Sequence, residues 1–236
     1  MALPILNDSP KYEMTIPSTN QSIRFRPYLV REEKVLMIAL ESQDTQQMFS
    51  SIVDTIKACI QNPEEIKWNQ LAVFDIEYMF IIIRSKSVGE TAKVSIKCSK
   101  CEKPNQLTIG LDDIKPEISI TDNIIELTDD ISLEMQWPSF TNLQNPEMNN
   151  ISQSDVSIKM LGYCIKYVNT ADDKIIVKDE PTESIVNFIE SLNSEQFEKI
   201  KNYTDQMPTV SKDINFDCTD CNYHNTHKLE GMADFF

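Results

Sequence analysis

Cys98-Ser99-Lys100-Cys101 and Cys218-Thr219-Asp220-Cys221 are the two stretches on which the reading of this chain turns. Val94 and Ile96 alternate with polar residues before the first, and Ile214 and Phe216 do so before the second. Alternation of this period marks a strand with one buried face. A further β segment follows each, Gln106 to Ile109 after the first and a run to Leu229 after the second, so each CxxC sits between strands. The two sulfurs of such a turn point the same way, close enough to hold one face of a tetrahedral ion. Two turns complete a closed shell of four thiolates.

Zinc is the ion this donor set suits, because it is borderline-soft and takes a closed tetrahedral thiolate shell in structural sites. We therefore expect Cys98, Cys101, Cys218 and Cys221 to hold one structural zinc. This is the zinc-ribbon pattern with one departure. Residues 102–217 separate the two pairs, whereas ordinary ribbons use roughly 15–20. The ribbon is thus split, and its metal would fix how distant parts of the chain dock. Other readings stay open. The cysteines could be plain reduced thiols. One pair could be a redox CxxC, although that chemistry needs the motif at a helix N-terminus. His224 or His227 could replace one thiolate, although four cysteines already fill the shell.

Working outward, residues 11–29 read as an N-terminal hairpin turned at Pro17-Ser18-Thr19-Asn20. Residues 31–60 read as helix, broken near Ser42-Gln43-Asp44. Its second part carries Phe49, Ile52, Val53, Ile56 and Ile60 on one face. A helix over about 70–85 is apolar almost all round, which marks a central core helix. Ile124 to Trp137 reads as β, and the Asn- and Gln-rich stretch 141–154 as a loop. Helices are expected at about 153–168, 182–192 and 194–205, the last with Ser194 as N-cap. Lys174 to Lys178 suits a short strand. The fold class expected is α+β: an N-terminal β-hairpin and helices, a split zinc-ribbon-like part made of two CxxC hairpins, and a helical insertion between them. The segments are 1–90, 91–138, 139–206 and 207–236.

Composition narrows the function. Charged residues are 25% and hydrophobic ones 41%, enough for a core and against disorder. The net charge of −15 lowers the expectation of nucleic-acid binding, which rests on basic residues. The one basic run, Lys93, Lys97, Lys100 and Lys103, reads as solvated lysines on a hairpin. Acidity suits solubility or a basic protein partner. No stretch has the length or apolarity to span a bilayer, and Met1 to Glu13 does not read as a signal peptide. Six cysteines without such a signal suit a reducing compartment.

Catalysis finds little support. The four glycines are scattered, so no phosphate-cradling loop exists. His224 and His227 are the only histidines, and no triad or HExxH pattern surrounds them. Asp75 and Glu77, in the apolar helix, do not share a face. A salt bridge to Arg84 or to Arg24 and Arg26 explains them. Cys59 and Cys164, in apolar helical stretches, read as buried thiols. The terminal Phe235-Phe236 pair either packs back on its own domain or anchors a neighbour.

Several runs together resemble one family. Lys11-Tyr-Glu-Met-Thr-Ile-Pro-Ser18, Phe25-Arg-Pro-Tyr-Leu-Val-Arg-Glu-Glu-Lys34 and Ala39-Leu-Glu-Ser-Gln-Asp44 are similar to the opening of the baseplate hub proteins of T4-like contractile-tailed phages. Phe74-Asp-Ile-Glu-Tyr78, Arg84-Ser-Lys-Ser-Val-Gly-Glu90, both CxxC turns and Gly231-Met-Ala-Asp-Phe-Phe236 resemble the same family. The likeness implies a hub subunit of the virion tail, or an assembly factor absent from the mature virion. It implies other baseplate and tail proteins as partners, assembly in the host cytoplasm, and neither a small-molecule substrate nor an enzymatic role. The rival reading is a zinc-ribbon nucleic-acid-binding module.

Overall fold

The computed structural model describes residues 9–42, 44–118, 122–143 and 153–235. By contact the chain forms two units. The first takes in the chain up to Trp68, Phe74–Glu117 and Thr209–Phe236; the second takes in Asn69–Val73 and Ile118–Pro208. Packing thus groups the first and last segments with the first CxxC hairpin, and divides residues 91–138 near Glu117.

The first unit opens with the antiparallel hairpin β1 (Tyr12–Thr15) and β2 (Ser22–Phe25), in which Met14 faces Ile23. Asn20 takes the left-handed conformation, φ 54°, that its turn requires. Helix α1 (Val30–Glu41) follows, then α2 (Thr45–Cys59). The break falls where expected because Asp44 caps α2, accepting from the Gln46 and Gln47 amides. Leu29 has no side chain to cap α1; instead Glu32 reaches back to the Leu29 amide at 2.7 Å. Helix α3 (Val73–Ser87) buries residues all round, among them Phe74, Ile76, Met79, Ile81 and Ile83.

Two hairpins, each of two seven-residue strands, complete this unit. β3 (Thr91–Lys97) pairs with β4 (Pro104–Gly110), and β9 (Ser211–Asp217) with β10 (His224–Glu230). Ala92, Val94 and Ile96 on β3, and Ile214 and Phe216 on β9, point inward onto Tyr78 and Ile81 of α3. Phe235 is fully buried in the same cluster, so it packs back on its own unit. Phe236 lies outside the described residues.

The second unit holds an antiparallel sheet in sequence order: β5 (Ile124–Glu126), β6 (Ser132–Met135), β7 (Ile165–Asn169) and β8 (Lys174–Ile176). Short helix α4 (Phe140–Leu143) and helices α5 (Gln153–Tyr163), α6 (Thr182–Glu190) and α7 (Ser194–Asp205) accompany it. The overall class is α+β, as expected. The inserted segment is nevertheless not helix alone. The helix expected over 153–168 ends at Tyr163, and Ile165–Asn169 is strand. Ile165 and Val168 pair with Met135 and Leu133, so a partner some thirty residues upstream overrides local periodicity. The N-cap of α7 is Asn193 rather than Ser194. Its side chain accepts from the Gln196 amide while Gln196 accepts from the Asn193 amide, a reciprocal capping box. Of the loop expected at 141–154, residues 144–152 lie outside the described ones.

Candidate metal centre

Each CxxC is the tip of one long hairpin, and the two tips are built alike. Cys98 N–H donates to the Lys103 carbonyl, and Glu102 N–H donates back to the Cys98 carbonyl, both at 2.9 Å. Cys218 N–H donates to Tyr223, and Asn222 N–H to Cys218, again at 2.9 Å. Glu102 and Asn222 both take left-handed backbone, φ 58° and 53°. This closes the turn tightly enough that both sulfurs of a pair face one side.

The four sulfurs converge. Those of Cys98, Cys101, Cys218 and Cys221 all lie within 4.8 Å of one another, a group that could hold a metal ion. Across the hairpins, Cys98 and Cys221 are 3.7 Å apart and Cys101 and Cys218 3.6 Å. A disulfide needs about 2.05 Å. A tetrahedron with ~2.3 Å metal–sulfur bonds has edges of about 3.8 Å, close to these separations. The donor set is all sulfur, and Cys98 and Cys218 are 1% exposed, so the arrangement suits a closed site for a soft or borderline cation. Neither histidine belongs to the group. His224 Nδ1 bonds the Asp217 carboxylate at 2.8 Å, and His227 lines a groove with Lys93 and Lys97.

Electrostatics favour partial ionisation only. Burial would raise the Cys98 thiol, but the Cys101 and Lys100 amides and the Asn225 side chain outweigh it and hold it at about 6. The Cys221 and Asp220 amides hold Cys218 below its ordinary value. The Lys103 amide would lower Cys101, but burial and the three neighbouring sulfurs push it up to about 12. Four thiolates so close together repel unless a cation compensates them.

Two residues that sequence reasoning passed over complete the centre. Asn105, on β4, is 2% exposed and Asn225, on β10, 4%. The Asn105 Oδ1 accepts from the Thr219 amide at 3.0 Å and its hydroxyl at 3.2 Å. Its Nδ2 donates to the Lys103 carbonyl at 3.1 Å and faces Cys218 Sγ at 3.7 Å. Asn225 mirrors this on the first tip. Its Oδ1 accepts from the Ser99 amide at 3.0 Å and hydroxyl at 2.8 Å. Its Nδ2 donates to Tyr223 at 2.8 Å and faces Cys98 Sγ at 3.6 Å. The signal was present in the sequence. Cys98-Ser99-Lys100-Cys101 with Asn105, and Cys218-Thr219-Asp220-Cys221 with Asn225, share the register C-[S/T]-x-C-x-x-x-N. The tips also meet at their rims, where Lys103 pairs with Asp220 and Lys100 lies over the Tyr223 ring.

The remaining candidate residues have structural partners. Asp75 is fully buried and accepts from the Ser18 amide and hydroxyl at 2.9 and 2.6 Å. Glu77 accepts from the Met232 amide, and burial raises its carboxyl. Arg24 pairs with Glu13 and Arg26 with Glu32, so the strand arginines expected for the helix carboxylates are engaged elsewhere. Cys59 and Cys164 are buried thiols, pushed by burial to about 11 and about 12.

Two matched hairpins presenting four sulfurs to one point, two of them buried and two half-buried, define a structural module with a candidate metal staple. The chain matches the family model described as T4 bacteriophage base plate protein over residues 9–236, and it belongs to that family. No curated protein and no solved structure matches it. Membership gives it a structural or assembly role in a phage baseplate, within the virion tail. Among the described residues no helix is long and apolar enough to cross a membrane.

Proposed function

We propose that this chain is a zinc-stapled protein of the baseplate hub region, acting through contacts with other baseplate and tail proteins and not as an enzyme. The observation that carries this reading is the convergence of Cys98, Cys101, Cys218 and Cys221 within a family of baseplate proteins. Zinc, when bound by the four cysteine thiolates, would supply binding energy that becomes folding energy. The chain's own residues do the rest. They lower the Cys98 and Cys218 thiols, bury those two sulfurs and couple the closing hairpin to the first. A closed shell has no open position for a substrate, which supports a structural role.

Protein contact is supported by α1. Val30 is 79% exposed, Met37 57%, Ile38 52% and Leu40 60%. Val30, Met37 and Leu40, at i, i+7 and i+10, fall on one side of this helix, and exposed apolar side chains that share a face support a contact site. Nucleic acid suits the surface less well, because Lys103 is paired with Asp220 and Lys100 lies on Tyr223. The net charge of −15 adds to that argument.

Mass spectrometry of purified virions, with elemental analysis of the purified protein, tests the proposal. A hub subunit appears in the particle at fixed stoichiometry, and the protein carries one zinc per chain. Presence only in assembly intermediates would make it an assembly factor that leaves, built in the host cytoplasm and absent from the mature virion. Protein purified without chelator and free of zinc would overturn the metal reading.

A further inference from the structure

The buried amides of Asn105 and Asn225 have a property the cysteines lack: their bonds need no ion. A primary amide carries two donors and a two-lone-pair acceptor, and burying it unsatisfied is costly. Each of these side chains bonds its own turn through Nδ2, at Lys103 or Tyr223, and the opposite tip through Oδ1. Take away the opposite hairpin and each Oδ1 loses both an amide and a hydroxyl partner. Ser99 and Thr219 are the hydroxyl-bearing second residues of the two CxxC turns, and both hydroxyls go to the clamp oxygen. The exchange is reciprocal: β4 grips the tip of the β9–β10 hairpin, and β10 grips the tip of the β3–β4 hairpin.

We propose that Asn105 and Asn225 are positioning residues, a reciprocal pair of clamps that docks the two hairpins and aims Cys98 and Cys218 before any metal arrives. The cage is then preformed, and the ion locks an arrangement the amides have already made. Two roles are carried by different atoms. Oδ1 docks the opposite tip. Nδ2 points a donor at the sulfur of Cys218 or Cys98, 3.7 and 3.6 Å away, where a thiolate accepts it. The last step rests on the metal reading above; the docking step does not.

The test uses the full-length protein stripped of metal, with amide hydrogen exchange read by NMR. In the wild type, the Ser99 and Thr219 amides should be protected at least tenfold over an open turn. Free exchange at both would overturn the proposal without any variant. Asn105→Ala should release the Thr219 amide and spare Ser99; Asn225→Ala should do the reverse. Loosening confined to each variant's own hairpin would overturn the reciprocity. Asn105→Asp and Asn225→Asp retain the docking oxygen and replace the donor with negative charge. They should keep the crossed protection while weakening zinc binding by about 10–100-fold in chelator competition. Wild-type zinc affinity in both Asp variants would overturn the aiming role. A wild type that binds no zinc but shows crossed protection would fail the metal reading and leave the clamp standing.

Discussion

Cys101 and Cys218, 117 positions apart in the chain, hold their sulfurs 3.6 Å apart. That separation is too long for a disulfide and close to an edge of a zinc–thiolate tetrahedron. Replacing one thiolate should therefore unfasten the first unit. Cys218→Ser is expected to cost several kcal/mol, because structural zinc supplies roughly 10–16 kcal/mol of apparent binding energy in peptides. The check is a melting curve with and without chelator. Chelator should lower the Tm of the wild type and leave the variant nearly unmoved; equal melting of the two proteins would count against the staple.

Thiol titration should resolve the six cysteines into two classes. With metal bound, a thiol reagent should find almost none reactive. Chelator should release the four tip thiols together. Cys59 and Cys164 should react only on unfolding, since burial pushes them to about 11 and about 12. Early reaction of a tip cysteine in the metal-loaded protein would contradict a closed shell.

Glu32 gives a pH dependence of definite sign. Burial would raise its carboxyl, but hydrogen bonds from Arg26, Arg31 and the Leu29 amide outweigh that and hold it at about 2, against an ordinary 4.5. A carboxyl lowered in the folded state stabilises fully above its unfolded value. That contribution, at most about 3 kcal/mol by linkage and less once solvent screening of the exposed Arg31 is counted, fades as pH falls from about 4.5 toward 2. Urea unfolding of the wild type and Glu32→Gln at pH 7 and pH 3 should show a gap that narrows in acid. A gap constant across that range would reject the assignment.

Gly162, in α5, leaves room for Ile185 of α6. A Cβ there would lie 2.7 Å from Ile185 Cγ2. Alanine ordinarily favours a helix over glycine by ~1 kcal/mol, yet Gly162→Ala should destabilise by about 1–2 kcal/mol because overpacking wins. Adding Ile185→Ala should recover part of the loss, read as a coupling in a double-mutant cycle. Independent, additive losses would show that the close approach is not what matters.

The α1 surface separates folding from assembly. Met37→Asp and Leu40→Asp alter exposed side chains, so the purified protein should melt within ~0.5 kcal/mol of the wild type. Complementation of a phage lacking the protein should nevertheless fail, with tails stalled before the baseplate is complete. Normal plating by both variants would move the contact surface elsewhere.

Much of the architecture was legible in one dimension. The alternation of Val94 and Ile96, and of Ile214 and Phe216, announced hairpins because a strand's face is set by residue parity. The apolar run through Ile76, Met79 and Ile83 announced a core helix for the same kind of local reason. What failed were features whose deciding partner lies far along the chain. Ile165–Asn169 reads as a helix continuation until β6 claims it. The Ser18 turn, 57 residues upstream, supplies Asp75 with two hydrogen bonds that no local pattern announces.

The sequence by itself supplied the candidate ligands, four thiols in two like turns, and the α+β class, since periodicity is a property of neighbours. Only the tertiary structure decided that the turns meet, that Asn105 and Asn225 each hold the other's hairpin, and that Phe235 faces inward. Those outcomes depend on hydrogen bonds and packing between residues separated by a hundred positions or more. No local pattern encodes such a distance; it is set when the hairpins close on α3.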